Sequence, residues 1–134
     1  MVLRLALPAL VLSLAPAHTA AQAPAGPGCA VQPYRGATSP QGALAVVTMT
    51  NRGQTCRLPV FGSPADRSGP AGSGRVLRAP ASGTATFEPP EATYTPAAGF
   101  VGTDAFEFEA EAPDRLGRPL RLYVRVQVTV TADR

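Results

Sequence analysis

The chain has 134 residues, with twelve arginines, no lysine, nine carboxylates, one histidine and two cysteines, and a formal charge of +3. That length suits one domain and not two, and no apolar run approaches the ~20 residues a helix needs to cross a bilayer. The scarcity of histidine, lysine and spare thiol removes most of the bases and nucleophiles that hydrolases and transferases use.

The first three residues, Met1, Val2 and Leu3, precede one basic residue, Arg4, which is followed by an apolar run over 5–14 and the small-residue stretch APAHTAAQAP. That order of charge, short apolar core and small residues is a secretory signal peptide over 1–21, with cleavage predicted after Ala21, Thr19 being the other small recognition residue; Ala20 and Ala23 are the alternatives, the latter disfavoured by the Pro24 that follows it. The only histidine, His18, leaves with it. A periplasmic or secreted location follows, and nucleic acid is disfavoured as a partner. No cysteine follows the cut to carry a lipid. Every basic residue is arginine, and Ala, Gly and Pro abound, a bias of GC-rich, bacterial genomes that also warns against reading each arginine as chemistry. Residues 22–28 form a loose leader with nothing to bury.

Cys29 and Cys56 are an even pair in an exported chain, so one disulfide joins them. On the loop-entropy model it contributes roughly 3–4 kcal/mol. A redox or zinc role would need a CxxC pair or histidine ligands, and neither is present.

Residues 29–34 are a short first strand. Residues 42–50 are β-branched enough for another, and Asn51-Arg52-Gly53-Gln54 supplies turn chemistry. A strand over 55–61 is expected to return antiparallel to it. Residues 62–74 contain little but turn formers, so they are either an exposed loop or the long crossing a Greek key requires. Because loops carry binding function, Arg67 and Ser68, with Arg75 just beyond, are the candidate binding residues. Residues 74–78 add a strand. Two more, 84–87 and 91–95, are separated by Glu88-Pro89-Pro90, whose prolines donate no backbone hydrogen bond.

The last hairpin is the clearest element. Phe106, Phe108 and Ala110 share one side of a strand, and Glu107, Glu109 and Glu111 the other. Leu120, Leu122, Val124, Val126, Val128 and Val130 alternate with Arg121, Tyr123, Arg125, Gln127 and Thr129. Folding at 113–118 lays apolar rows against each other and carboxylates against guanidiniums. On an open sheet face these charges set register and solubility, at about 0.2–1 kcal/mol per pair, rather than catalysis.

Charge is unevenly divided: residues 22–80 hold six arginines and one acid, and residues 81–134 hold eight acids and five arginines. The halves are expected to interleave and neutralise one another; a basic face for an anionic envelope partner is the functional alternative. Ser39, Ser63, Ser68, Ser73 and Ser82 sit in Gly/Pro-rich turns without a base, and Glu88 with Glu91 sits on an open turn. The reading is therefore non-enzymatic.

From Pro80 onward the chain resembles bacterial Ig-like and cadherin-like repeats of exported and cell-surface proteins. The resemblance is carried by Pro80 and Gly83, Tyr94-Thr95-Pro96, Gly99-Phe100, Gly102-Thr103-Asp104, Phe106 and Phe108, a turn over 114–117, and an alternating strand over 124–130. It covers about fifty residues, well under half of the chain. It implies an all-β, Ig-like (cadherin-like) β-sandwich of about seven strands with Greek-key connections, over 29–134. The shared residues have structural reasons. Tyr94 buries its ring while its hydroxyl reaches a loop carbonyl, Pro96 stops a strand, and Asp104 accepts bonds from the preceding turn. Such modules are spacers, adhesion units or binding platforms, sometimes with calcium. Here calcium is disfavoured, because Asp104 and Asp114 stand apart with no DxD run. No cofactor is expected. The function implied is a non-catalytic exported module that binds a protein or glycan of the cell envelope, and the alternative is a secreted inhibitor or accessory subunit of an exported enzyme.

Overall fold

Alternating apolar and polar residues recur throughout the second half of the chain, and the computed structural model, which describes residues 12–13 and 28–133, shows strands and no helix among them. The expected signal peptide and leader lie outside the described residues, apart from Leu12, Ser13 and Gly28. In chain order the strands are β1 (Cys29–Val31), β2 (Ala43–Asn51), β3 (Cys56–Pro59), β4 (Phe61–Ser63) and β5 (Ser68–Pro70). They continue as β6 (Ser73–Arg78), β7 (Gly83–Glu88), β8 (Glu91–Pro96), β9 (Gly102–Pro113) and β10 (Pro119–Ala132).

One sheet runs β1-β2-β10-β9-β6, a second runs β3-β8-β7, and β4 with β5 makes a small hairpin. The two larger sheets face each other as an Ig-like β-sandwich, and the core lies between them. Strand count is higher than the seven expected. The segment 55–61 divides at Val60 into β3 and β4, and the turn-rich segment after it contributes β5.

The long hairpin has the register its alternation demands. Phe108 lies opposite Val124, Phe106 opposite Val126 and Ala110 opposite Leu122, and all six are buried. Burying each phenylalanine is worth about 3–5 kcal/mol against alanine. The Tyr94 ring, also buried, stacks on Phe106 with centroids 5.8 Å apart, and Phe106 lies 6.3 Å from Phe108.

The expectation of a hairpin between 42–50 and 55–61 is wrong. The turn after β2 forms, with Gly53 at φ 75° and its amide donating to Asn51 Oδ1 at 3.1 Å. It carries the chain across to the other sheet, where β3 pairs with β8. β2 instead pairs in parallel with β10, from Val124↔Ala43 to Ala132↔Asn51. The physical reason is the continuity of an apolar face: Ala43, Ala45, Val47 and Met49 lie beside Val124, Val126, Val128 and Val130 and are buried with them.

Candidate interaction surface

The motif residues of the second half build a buried anchor rather than a ligand site. Asp104, only 7% exposed, begins the regular part of β9. Its Oδ2 accepts the Tyr94 hydroxyl at 2.8 Å and the Ser82 amide at 3.0 Å, and its Oδ1 accepts the amides of Ala81 at 3.0 Å and Ala105 at 2.9 Å. Two expectations are corrected here. Tyr94 donates to a carboxylate and not to a loop carbonyl, and Asp104 holds residues 81–82, the link between β6 and β7, rather than the turn just before itself. A carboxylate has capacity for several donors, and a distant amide pair fills it better than one turn can. Burial first, then Asp104, pushes the Tyr94 hydroxyl above the ordinary tyrosine range. Pro96 closes β8, Phe100 packs against the core, and Gly102 opens β9 at φ 142°.

The candidate binding residues fall in two places. Arg67 and Ser68 sit on the β4–β5 hairpin, which lies flat on the end of β9 and is not a loose loop. A Cβ added at Gly62 would stand 1.9 Å from the Pro113 carbonyl oxygen, and one at Gly69 2.4 Å. Arg67 adopts φ 57° with its guanidinium 5.2 Å from the Phe61 ring centroid, a cation–π contact. The Ser68 hydroxyl donates to Asp66 at 2.7 Å, and Asp66 pairs with Arg115 of the β9–β10 turn at 3.2 Å. The Ser68 bond, aided by Arg115, holds the Asp66 carboxyl below the usual range.

Arg75 instead lies on β6, on the outer face of the five-stranded sheet. Its Nε donates to Glu109 Oε1 at 2.6 Å, and Arg121 on β10 reaches Glu109 Oε2 from the other side. Arg75 first, then Arg121, lowers the Glu109 pKa. The expected rows are therefore present, but pair along diagonals: Arg121 lies opposite Glu111 in register yet bonds Glu109, and Glu107 accepts the Tyr123 hydroxyl at 2.7 Å.

Beside these pairs a surface groove of about 500 Å³ is lined by Arg75, Glu109, Glu111 and Arg121. A second of about 500 Å³, lined by Pro70, Pro113, Gly117 and Pro119, adjoins it and shares Ser73 and Glu111. Together they lead from the sheet face to Pro70 at the close of β5; Arg67 lines neither groove. Sequence reasoning overlooked Glu109, Glu111 and Arg121 as lining residues. The signal that would have found them is the pairing of the 74–78 segment with the carboxylate side of β9.

The two charge-biased halves interleave. Arg52–Asp133, Arg57–Glu91, Arg75–Glu109 and Arg115–Asp66 each join one half to the other. Exposed pairs of this kind contribute little individually. Glu88 and Glu91 face each other across the β7–β8 turn, but Glu91 is taken by Arg57 at 3.2 Å. Among the described residues no three His, Cys, Asp or Glu side chains converge as metal ligands, and no helix is long and apolar enough to cross a membrane.

Cys29 and Cys56 form a disulfide with Cα atoms 5.7 Å apart. It joins β1 of one sheet to β3 of the other.

No curated protein and no solved structure matches the chain. The model of the bacterial Ig domain family matches residues 37–131, more than half of the 134-residue chain. With two packed sheets, a parallel β2–β10 pair and an aromatic core between them, the chain belongs to the bacterial Ig domain family.

Proposed function

We propose that this protein is an exported, non-catalytic Ig module that binds another component of the bacterial cell envelope, a protein or a glycan, along the two adjoining grooves. The observation that carries the reading is the groove pair itself. A shallow surface, charged at the Arg75–Glu109–Arg121 cluster and proline-lined beyond it, runs to the β4–β5 hairpin at Pro70. Both guanidiniums are exposed at 70% and 77% while the carboxylate they share is largely covered. Each arginine is thus oriented by Glu109 and keeps free N–H groups for a partner's hydroxyls, carbonyls or carboxylates. The hairpin beside it is pinned by Pro113, Arg115 and the Arg67–Phe61 contact, which lowers the ordering cost of binding there.

The disulfide and the family support a location outside the cytoplasm. The non-catalytic reading is supported by the engagement of Ser68 with Asp66 and of Glu91 with Arg57. The test is affinity capture from an envelope extract and on a panel of envelope glycans. The parent protein is expected to enrich a component that Arg75→Ala with Arg121→Ala releases. Capture of nothing by the parent overturns the binding role, and undiminished capture by the double variant removes the grooves as its site.

A further inference from the structure

Four strands border the sandwich, and three of them are blunted in the ways that suppress strand addition. β1 is three residues long, and β3 is four residues long and ends at Pro59. β6 is interrupted by a register shift between Val76 and Arg78 and carries two arginines. β7 has none of these protections. Its six residues pair with β8 in unbroken register from Gly83↔Pro96 to Glu88↔Glu91, and no charge precedes Glu88. Among the described residues nothing pairs with its other side.

The direction of its open groups follows from the ladder. The Ala97 amide donates to the Ser82 carbonyl at 2.9 Å, so 82 and 97 are a hydrogen-bonded pair. Bonded pairs alternate along an antiparallel ladder. Thr84, Thr86 and Glu88 therefore turn their backbone groups toward β8, while Gly83, Ala85 and Phe87 turn theirs to the free edge. The inward side chains at this edge are also incompletely covered: Ala85 and Phe87 are half-buried, whereas Ala92 and Tyr94 of the adjacent β8 are fully buried.

We propose that the free edge of β7 pairs antiparallel with β7 of a second copy of this chain, fusing the two three-stranded sheets into one. The occupant is a second copy because the strand is complementary to itself. A two-fold axis through Ala85 makes hydrogen-bonded pairs of Gly83 with Phe87, Ala85 with Ala85, and Phe87 with Gly83, which uses every outward group. The pairs between them place Thr84 against Thr86 of the other copy on the outer face, the close pairing in which threonines bond each other. The hydroxyls of Thr86 and Thr93 bond each other across β7–β8 even in the wider, hydrogen-bonded kind of pair. Glu88 falls opposite Ser82 of the second copy, so no like charges meet, whereas pairing through β6 would bring Arg75 and Arg78 of two copies together. The paired area is small, so the dimer is weak and forms at high concentration.

Sedimentation equilibrium of the purified protein tests this, and the apparent mass is expected to climb toward twice that of one chain as concentration rises. Ala85→Pro removes the central outward amide and no bond to β8, so it is expected to hold the protein monomeric while circular dichroism and thermal unfolding show the fold retained. Thr84→Glu with Thr86→Glu is expected to weaken association by about tenfold, because like charges then face each other twice. Thr84→Glu with Thr86→Arg is expected to strengthen it. A parent that stays monomeric throughout overturns the proposal. So does a dimer that survives Ala85→Pro, or one that responds alike to the two charge pairs, since either outcome places the interface elsewhere.

Discussion

The two long sides of the sandwich are closed by different means. Along the β1/β3 side the sheets are joined covalently through Cys29–Cys56. Along the β6/β7 side they are joined by residues 79–82, and a buried carboxylate, Asp104, holds that link by the amides of Ala81 and Ser82. Phe87 completes the second side by packing 5.8 Å from Phe108 and against Gly74. A disulfide acts mainly by limiting the unfolded chain, whereas the Asp104 cluster stabilises only the native state and fails if its one acceptor is lost. One side tolerates local change, and the other is sensitive to single atoms.

The largest expected effect comes from opening the first side. Replacing both Cys29 and Cys56 by alanine is expected to cost about 3–4 kcal/mol and lower Tm by more than ~10 °C, measured by thermal denaturation. Amide exchange should accelerate first in β1 and β3; equal acceleration in β7 would show that the two sides are not independent. On the second side, Asp104→Ala leaves the Ala81 and Ser82 amides and the Tyr94 hydroxyl without their acceptor. A loss of roughly 3 kcal/mol is expected in chemical denaturation, with Tyr94→Phe costing less because the backbone donors remain. Gly74→Ala probes the same side by crowding, since its Cβ would lie 2.6 Å from the Phe87 ring and 2.8 Å from the Glu109 carbonyl oxygen. Overpacking of this kind is expected to cost ~1–3 kcal/mol.

The smallest effect concerns Glu109 on the outer face. Its folded pKa is depressed by Arg75 and then Arg121, so its contribution is present above the ordinary glutamate pKa and is lost as pH falls through the lowered folded value. Carboxyl NMR titration should place its midpoint below that of a free glutamate. Arg75→Ala should raise that midpoint with little change in stability, as is usual for exposed pairs.

Local pattern made the second half legible before any coordinates. Strict alternation in β9 and β10 specifies which residues are buried, and because a slip by one residue would expose the whole apolar set, it also specifies register. The disulfide was equally legible, since two cysteines allow one pairing. What escaped was non-local. Asn51 to Gln54 has the chemistry of a hairpin turn, but the same chemistry also serves a crossing between sheets, and nothing near β2 reveals that its partner is β10. The same limit hid the Asp104 bonds to Ala81 and Ser82, which span 23 and 22 residues. Arg67, Ser68 and Arg75 are near neighbours in the sequence, yet the fold sends Arg75 to the sheet face and seats the other two on the hairpin.

β1 gives the molecule an unusual handle. Cys29 lies beside Met49, and Met49 lies beside Val130, so the start of β1 and the close of β10 flank one rung of β2. Gly28 and Asp133 are fastened nearby, to Thr50 at 3.1 Å and Arg52 at 3.2 Å. Tension applied between those two points would peel rungs apart singly from one end, the mechanically weak direction for a sheet, instead of shearing a whole ladder at once. The Cys29–Cys56 bond stops that peeling after its first rung by passing the load to β3.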